Sequence, residues 1–108
     1  MSGSGGGGSG GGVPVDNTPC DQIDFESQVT SPKSNVVKGL AIDIVLDVVL
    51  EPLNGVVVVQ VESKGALVGG LTGPDVRRMR ECLEEGYKFK ATVLSINGGQ
   101  VRVRVESA

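Results

Sequence analysis

The chain has 108 residues, a formal net charge of −3, no histidine, and only two phenylalanines and one tyrosine among its aromatic residues. The absence of histidine excludes Ser-His and Cys-His catalysis and histidine metal ligation. The acidic balance excludes the strong positive field that non-specific coating of DNA requires.

The charge is unevenly spread: residues 1–73 balance to −5 and residues 74–108 to +2. Residues 1–12 are Met, Ser and Gly alone and hold eight of the seventeen glycines. Apart from Met1, such a segment has no apolar side chain whose burial would offset the entropy of ordering it. Residues 1–20 are therefore expected to be a disordered tail and linker, and residues 21–108 a single β-rich globular domain. Scarce aromatics and abundant Val, Leu and Ile predict an aliphatic core built on strands.

Ile23, Phe25 and Val29 alternate with Asp24, Glu26 and Gln28, the pattern of a half-buried first strand. Ser31 to Asn35 reads as a loop, and Val36 to Leu40 as one helical turn. Ile44 to Leu50 is the second strand, closed by Glu51-Pro52-Leu53-Asn54-Gly55, with Asn-Gly as a hairpin signal. Val56 to Glu62 is the third strand. Its run of four valines calls for burial on both faces or a covered edge. After Ser63-Lys64-Gly65, Ala66 to Leu71 is a short fourth strand weakened by Gly69 and Gly70.

A helix is predicted from Pro74 to Glu85. A capping side chain precedes it at Thr72, Pro74 and Asp75 lie in its first turn, and Gly86 follows as its stop. Val76, Met79 and Leu83 form its apolar stripe, with Cys82 beside them as a reduced, buried thiol. Phe89 to Ile96 and Val101 to Val105 finish the chain around Gly98-Gly99. That turn pairs Ile96 with Val101, Leu94 with Val103 and Thr92 with Val105. The expected fold is mostly β with one helix, in the order ββββ-α-ββ, as a small antiparallel barrel-like sheet.

No catalytic constellation emerges. Gly69 to Gly73 leads into a helix but lacks the phosphate-loop lysine, and Pro74 and Asp75 remove a donor and add negative charge, so it reads as a turn. Asp43 and Asp47 read as solvated surface acids. Cys20 and Cys82 are too few and too far apart for a zinc site. The expectation is a protein that is not an enzyme and uses no cofactor and no metal. No basic segment precedes a hydrophobic stretch, and Asp43, Asp47, Glu51 and Pro52 break the valine runs below the roughly 20 apolar residues of a membrane helix. A cytoplasmic protein without a membrane partner is the default.

Two surfaces are candidates for binding. Val57, Val59 and Val61 form an expected partner edge, through which the chain engages another protein or itself by strand addition. Arg78, Lys88, Lys90, Arg102 and Arg104 form an expected basic patch for single-stranded nucleic acid if the fold brings them together. Arg77 with Glu81, and Arg80 with Glu84, have the spacing of helix-surface ion pairs, which leaves Arg78 without an acid at i+4.

Residues 43–105 resemble the HIRAN domain, a small barrel-like module found alone and attached to DNA-remodelling and repair proteins. Leu50-Glu51-Pro52-Leu53-Asn54 is similar to that family's Arg-Glu-Pro-x-Asn segment. Gly65 to Leu71 is similar to its Gly-x-x-hydrophobic-Gly-x-hydrophobic step, and Gly86 to Val93 follows a helix as in the family. The resemblance implies a barrel-like fold and a DNA-end-binding module as an alternative function. Leu50 stands where the family has Arg, and the Pro-Tyr-Asp after the family's Asn is missing. Family members that bind single-stranded ends stack bases on aromatic side chains, which this chain scarcely has.

Overall fold

Three two-residue turns set the register of the sheet. Asn54-Gly55, Lys64-Gly65 and Gly98-Gly99 all hold two successive positive φ angles, 52 and 81°, 52 and 83°, and 58 and 86°. That backbone is the type I′ turn, whose twist matches that of the flanking strands. The computed structural model describes residues 18–108, so the tail and most of the linker expected over residues 1–20 lie outside the described residues.

The chain runs through a 3₁₀ turn at Cys20–Gln22, strand β1 (Asp24–Gln28), helix α1 (Ser34–Val37), β2 (Val45–Leu53), β3 (Val56–Ser63), β4 (Ala66–Leu71), helix α2 (Pro74–Glu84), β5 (Phe89–Asn97) and β6 (Gln100–Ser107). The six strands form one antiparallel sheet in the order β1-β6-β5-β2-β3-β4. The mostly-β class and the single long helix are as the sequence predicts, and the helical turn expected at Val36 to Leu40 is α1, which begins two residues earlier, within the expected loop. One isolated bridge links Thr30, two residues beyond β1, to Gly70 of β4. Thr30 donates to the Gly70 carbonyl at 2.8 Å and accepts from the Gly70 N–H at 3.0 Å, while Lys33 donates to the Val68 carbonyl at 2.8 Å. The sheet is thus not closed by pairing of β1 with β4.

Leu46, Val61, Val68, Val93, Val101, Val103 and Val105 are fully buried in one core to which α2 contributes Met79 and Cys82. The last hairpin differs from expectation beyond its turn. Ile96 faces Val101 as predicted, but the register shifts between Val93 and Ser95, so Val93 faces Val103 and Ala91 faces Val105. The extra residue, Leu94, is a β-bulge. It turns Ala91 and Val93 into the core and sets Thr92 against Arg104 on the outer face. A second shift, between Val61 and Glu62, leaves Val68 as the extra residue of β4.

Helix α2 begins with Pro74 at its first turn and carries Asp75 there, as expected, but Thr72 makes no capping bond. The residue before the helix is Gly73 at φ 117°, a left-handed conformation that favours glycine. Gly86, at φ 101°, donates to the Leu83 carbonyl at 3.1 Å and ends the helix.

Candidate functional site

Strand β3 is not a sheet edge. It pairs with β2 from Val56 to Glu62 and with β4 from Val59 to Ser63. Val59 and Val61 are consequently core residues, 3% and 0% exposed, and neither presents an edge. Only the first three residues of β3 lack a neighbour on the second side, because β4 ends at Leu71 opposite Val59. Val57 lies in that stretch and is 38% exposed. Alternation along an antiparallel ladder points both backbone groups of Val57 away from β2. Its carbonyl accepts from Arg80 Nη1 at 3.4 Å. The expected edge is thereby reduced to a single rung, at Val57, whose carbonyl Arg80 already occupies. The sequence showed the valine run and the end of β4 at Leu71, but not the register that sets Leu71 opposite Val59.

The hairpin tip around this rung is apolar. Leu53 and Val56 flank the Asn54-Gly55 turn as an opposed pair and are each more than half exposed. A concavity lies on either side of the rung. One, of about 320 Å³, is lined by Val56 to Val59, Leu71 to Pro74, Val76, Arg77 and Arg80. The other, of about 360 Å³, runs over Gly69 and Gly70 and is lined also by Leu53, Val58 and Leu67. Val58, Val59, Leu71 and Thr72 line both.

The arginines of α2 do not pair as their spacing predicts. Arg78 takes Glu81 at 3.1 Å, three residues on, and also donates to the Thr18 carbonyl from Nε at 3.3 Å and Nη2 at 3.0 Å. Glu81 is thus drawn away from Arg77. Arg80 turns to Val57 instead of Glu84, and its Nε is buried with no hydrogen-bond partner among the described residues. Arg77 and Arg80 line the same groove and neither has an ion pair among the described residues. Pairs at i and i+4 on a helix surface are worth only about 0.2–0.5 kcal/mol, so tertiary partners readily displace them.

The expected basic patch is only partly assembled. Arg102, Arg104 and Lys90 share the outer face of the sheet, while Arg78 lies against Thr18 and Lys88 lies in the segment between α2 and β5. Acids are interleaved with the cations of that face. Arg104 makes a two-pronged contact with Asp24, Nε to Oδ1 at 2.9 Å and Nη2 to Oδ2 at 2.6 Å. Arg102 Nε meets Glu26 Oε1 at 3.3 Å. Lys90 stands between Glu106 on β6 and Asp47 on β2.

The Arg104 guanidinium holds the Asp24 carboxyl below its ordinary value of 3.8, and the carboxylate in turn raises Arg104. Because the folded-state value of Asp24 is depressed, its contribution to stability is fully present above pH 3.8 and is lost as pH falls below it. Asp24→Asn is expected to lower the melting temperature slightly at pH 7 and to have no effect in strong acid. Thermal melts at the two pH values check this.

The two cysteines are joined. Cys20 and Cys82 form a disulfide across 62 residues with their Cα atoms 5.7 Å apart. Burial of Cys82 is as expected, but the reduced thiol is not: the 3₁₀ turn places Cys20 against α2, a proximity that spacing could not reveal. Among the described residues, no cluster of three or more Cys, Asp or Glu side chains is placed to hold a metal ion. No helix among the described residues is long and apolar enough to cross a membrane. No family model, no curated protein and no solved structure matches the chain.

Proposed function

We propose that this domain is a non-catalytic binding module that engages another protein at the tip of the β2–β3 hairpin. The observation that carries this reading is the apolar tip itself: Leu53, Val56 and Val57 stand exposed around one backbone rung, with a concavity on each side. An extended segment added beside β3 would sit in line with β4 beyond Leu71. Its alternate side chains would enter the two concavities in turn.

The same tip supports self-association as a second reading, since Leu53 and Val56 present an apolar pair that a second copy could cover. The single-stranded nucleic-acid reading has less support, because Asp24, Glu26, Glu106 and Asp47 offset the field that Arg102, Arg104 and Lys90 would project. The HIRAN-like and barrel-like readings rest on the glycine-based motifs of residues 43–105 and on the bridge from Thr30, just beyond β1, to Gly70 of β4. The disulfide counts against the cytoplasm expected from sequence. Such bonds persist in oxidising compartments, which supports an oxidising location.

The test is selection of linear octapeptides from a display library on the full chain. Peptides should be enriched whose affinity falls at least tenfold in the Leu53→Lys, Val56→Lys double variant. That variant should melt within a few degrees of the parent, because both side chains are largely in solvent. Absence of enrichment, or peptides indifferent to the double variant, defeats the reading. Sedimentation of the parent over a hundredfold concentration range separates self-association from capture of a different protein.

A further inference from the structure

We infer that the groove between α2 and the open end of β3 takes the carboxylate of an Asp or Glu side chain from an extended segment of a partner protein. This rests on the proposed docking of such a segment at the hairpin tip and names what it must carry. The cations come from one side of the helix: Arg77 and Arg80 line this groove, three residues apart, with no carboxylate in ion-pair distance among the described residues.

Two of the nearby acids are held elsewhere, and Glu84, four residues beyond Arg80, makes no ion pair with it. Glu81 is engaged by Arg78, and Asp75 lines a separate concavity with Arg78 and Thr18. Arg80 is under-satisfied within the chain. Its bond to the Val57 carbonyl is long, at 3.4 Å, and its Nε has no acceptor although it is buried. Buried polar groups in folded proteins almost always have a partner. A guanidinium is best met by a carboxylate, which accepts from two of its N–H groups at once.

Strand geometry fixes the rest of the segment. Side chains of an added strand alternate in direction, so an acid turned towards Arg77 and Arg80 places its two neighbours over the concavity lined by Leu53, Val58 and Leu67. Leucine and valine side chains dominate that lining, although Lys33 and Gln60 also border it, so those neighbours should be apolar. The segment reads apolar–acidic–apolar. Although the chain as a whole carries −3, screening at physiological salt has a length of about 8 Å, so the two nearby guanidinium groups dominate at contact distance.

Two synthetic octapeptide pools test this on the full chain: Val, Ile and Thr around a central Glu, and the same around a central Gln. Fluorescence anisotropy should show the Glu pool binding at least tenfold more tightly. Arg77→Gln with Arg80→Gln should abolish that preference, while Leu53→Lys weakens both pools. Melting curves establish that each variant is folded. Arg80→Lys, which keeps the charge but loses the two-pronged geometry, should retain an intermediate preference. Equal binding of the two pools overturns the inference and leaves the docking reading standing. No binding of either pool overturns both. Binding of a twelve-residue oligothymidylate that is lost with Arg77 and Arg80, without preference between the pools, assigns the groove to phosphate and also overturns the inference.

Discussion

Reduction of the Cys20–Cys82 disulfide should lower the melting temperature of the full chain by roughly 20 °C. The bond closes a loop across 62 residues. Removing that constraint returns loop entropy to the unfolded chain worth about 4 kcal/mol in the chain-entropy account. A domain of this size loses roughly 4–8 °C for each kcal/mol. Total stabilities run to about 5–15 kcal/mol, so the reduced protein should be marginal at 37 °C. Calorimetry with and without reductant checks this, alongside Cys20→Ala with Cys82→Ala as a redox-independent control. Two free thiols titrated in the native protein purified without reductant would defeat the prediction. So would equal melting of the two forms. The bond also bears on the candidate site, because Cys82 lies on α2, the helix that carries Arg77 and Arg80.

Gly69→Ala should destabilise the fold by about 2–3 kcal/mol, the range of overpacking in a filled core. A Cβ at this position would meet Val29 Cγ1 at 2.5 Å and the Thr30 carbonyl oxygen at 2.6 Å. The second contact is with backbone that is itself pinned by the two hydrogen bonds of the Thr30–Gly70 bridge. Neither strand can retreat without breaking that bridge. Gly70→Ala is the informative neighbour. Its Cβ would meet Thr30 Oγ1 at 3.0 Å, a side-chain hydroxyl that can rotate away, and the Val59 carbonyl oxygen at an ordinary contact distance of 3.7 Å. Denaturant titrations should therefore rank parent, Gly70→Ala and Gly69→Ala in falling stability. If Gly69→Ala unfolds at the same midpoint as Gly70→Ala, the close crossing of residues 29–33 over β4 is wrong. Because Gly69 and Gly70 also floor the concavity beside Leu53, the folded Gly70→Ala variant reports on peptide docking there.

Much of the architecture is legible in short stretches of sequence. Asn54-Gly55, Lys64-Gly65 and Gly98-Gly99 each announce a turn. Turn chemistry depends on the φ angles of two adjacent residues, which adjacent residues determine. The bounds of α2 follow in the same way from Pro74 and Gly86, and its buried face from the stripe of Val76, Met79 and Leu83, except that Leu83 is only partly buried and Cys82 beside the stripe is fully buried. The strands over the valine runs follow from alternation and β-branched side chains, and the lack of histidine excludes its chemistry outright.

What only the tertiary structure decided depends on residues far apart in the chain. The bulge at Leu94 is invisible in the hairpin sequence, since either register sets a plausible apolar row. The choice falls to Val93 because it packs against Val103 in the shared core. Cys20 and Cys82 look like isolated cysteines until the 3₁₀ turn is laid on the helix. Val57, Val59 and Val61 look equivalent along β3, and β4 alone separates them by ending opposite Val59. Arg77, Arg78 and Arg80 look like ordinary helix-surface cations. Thr18, 60 residues from Arg78, and Val57, 23 residues from Arg80, redirect them and leave two guanidinium groups facing one groove. A surface ion pair within a helix is worth a fraction of a kcal/mol, so the positions of distant backbone carbonyls outweigh the spacing that sequence displays.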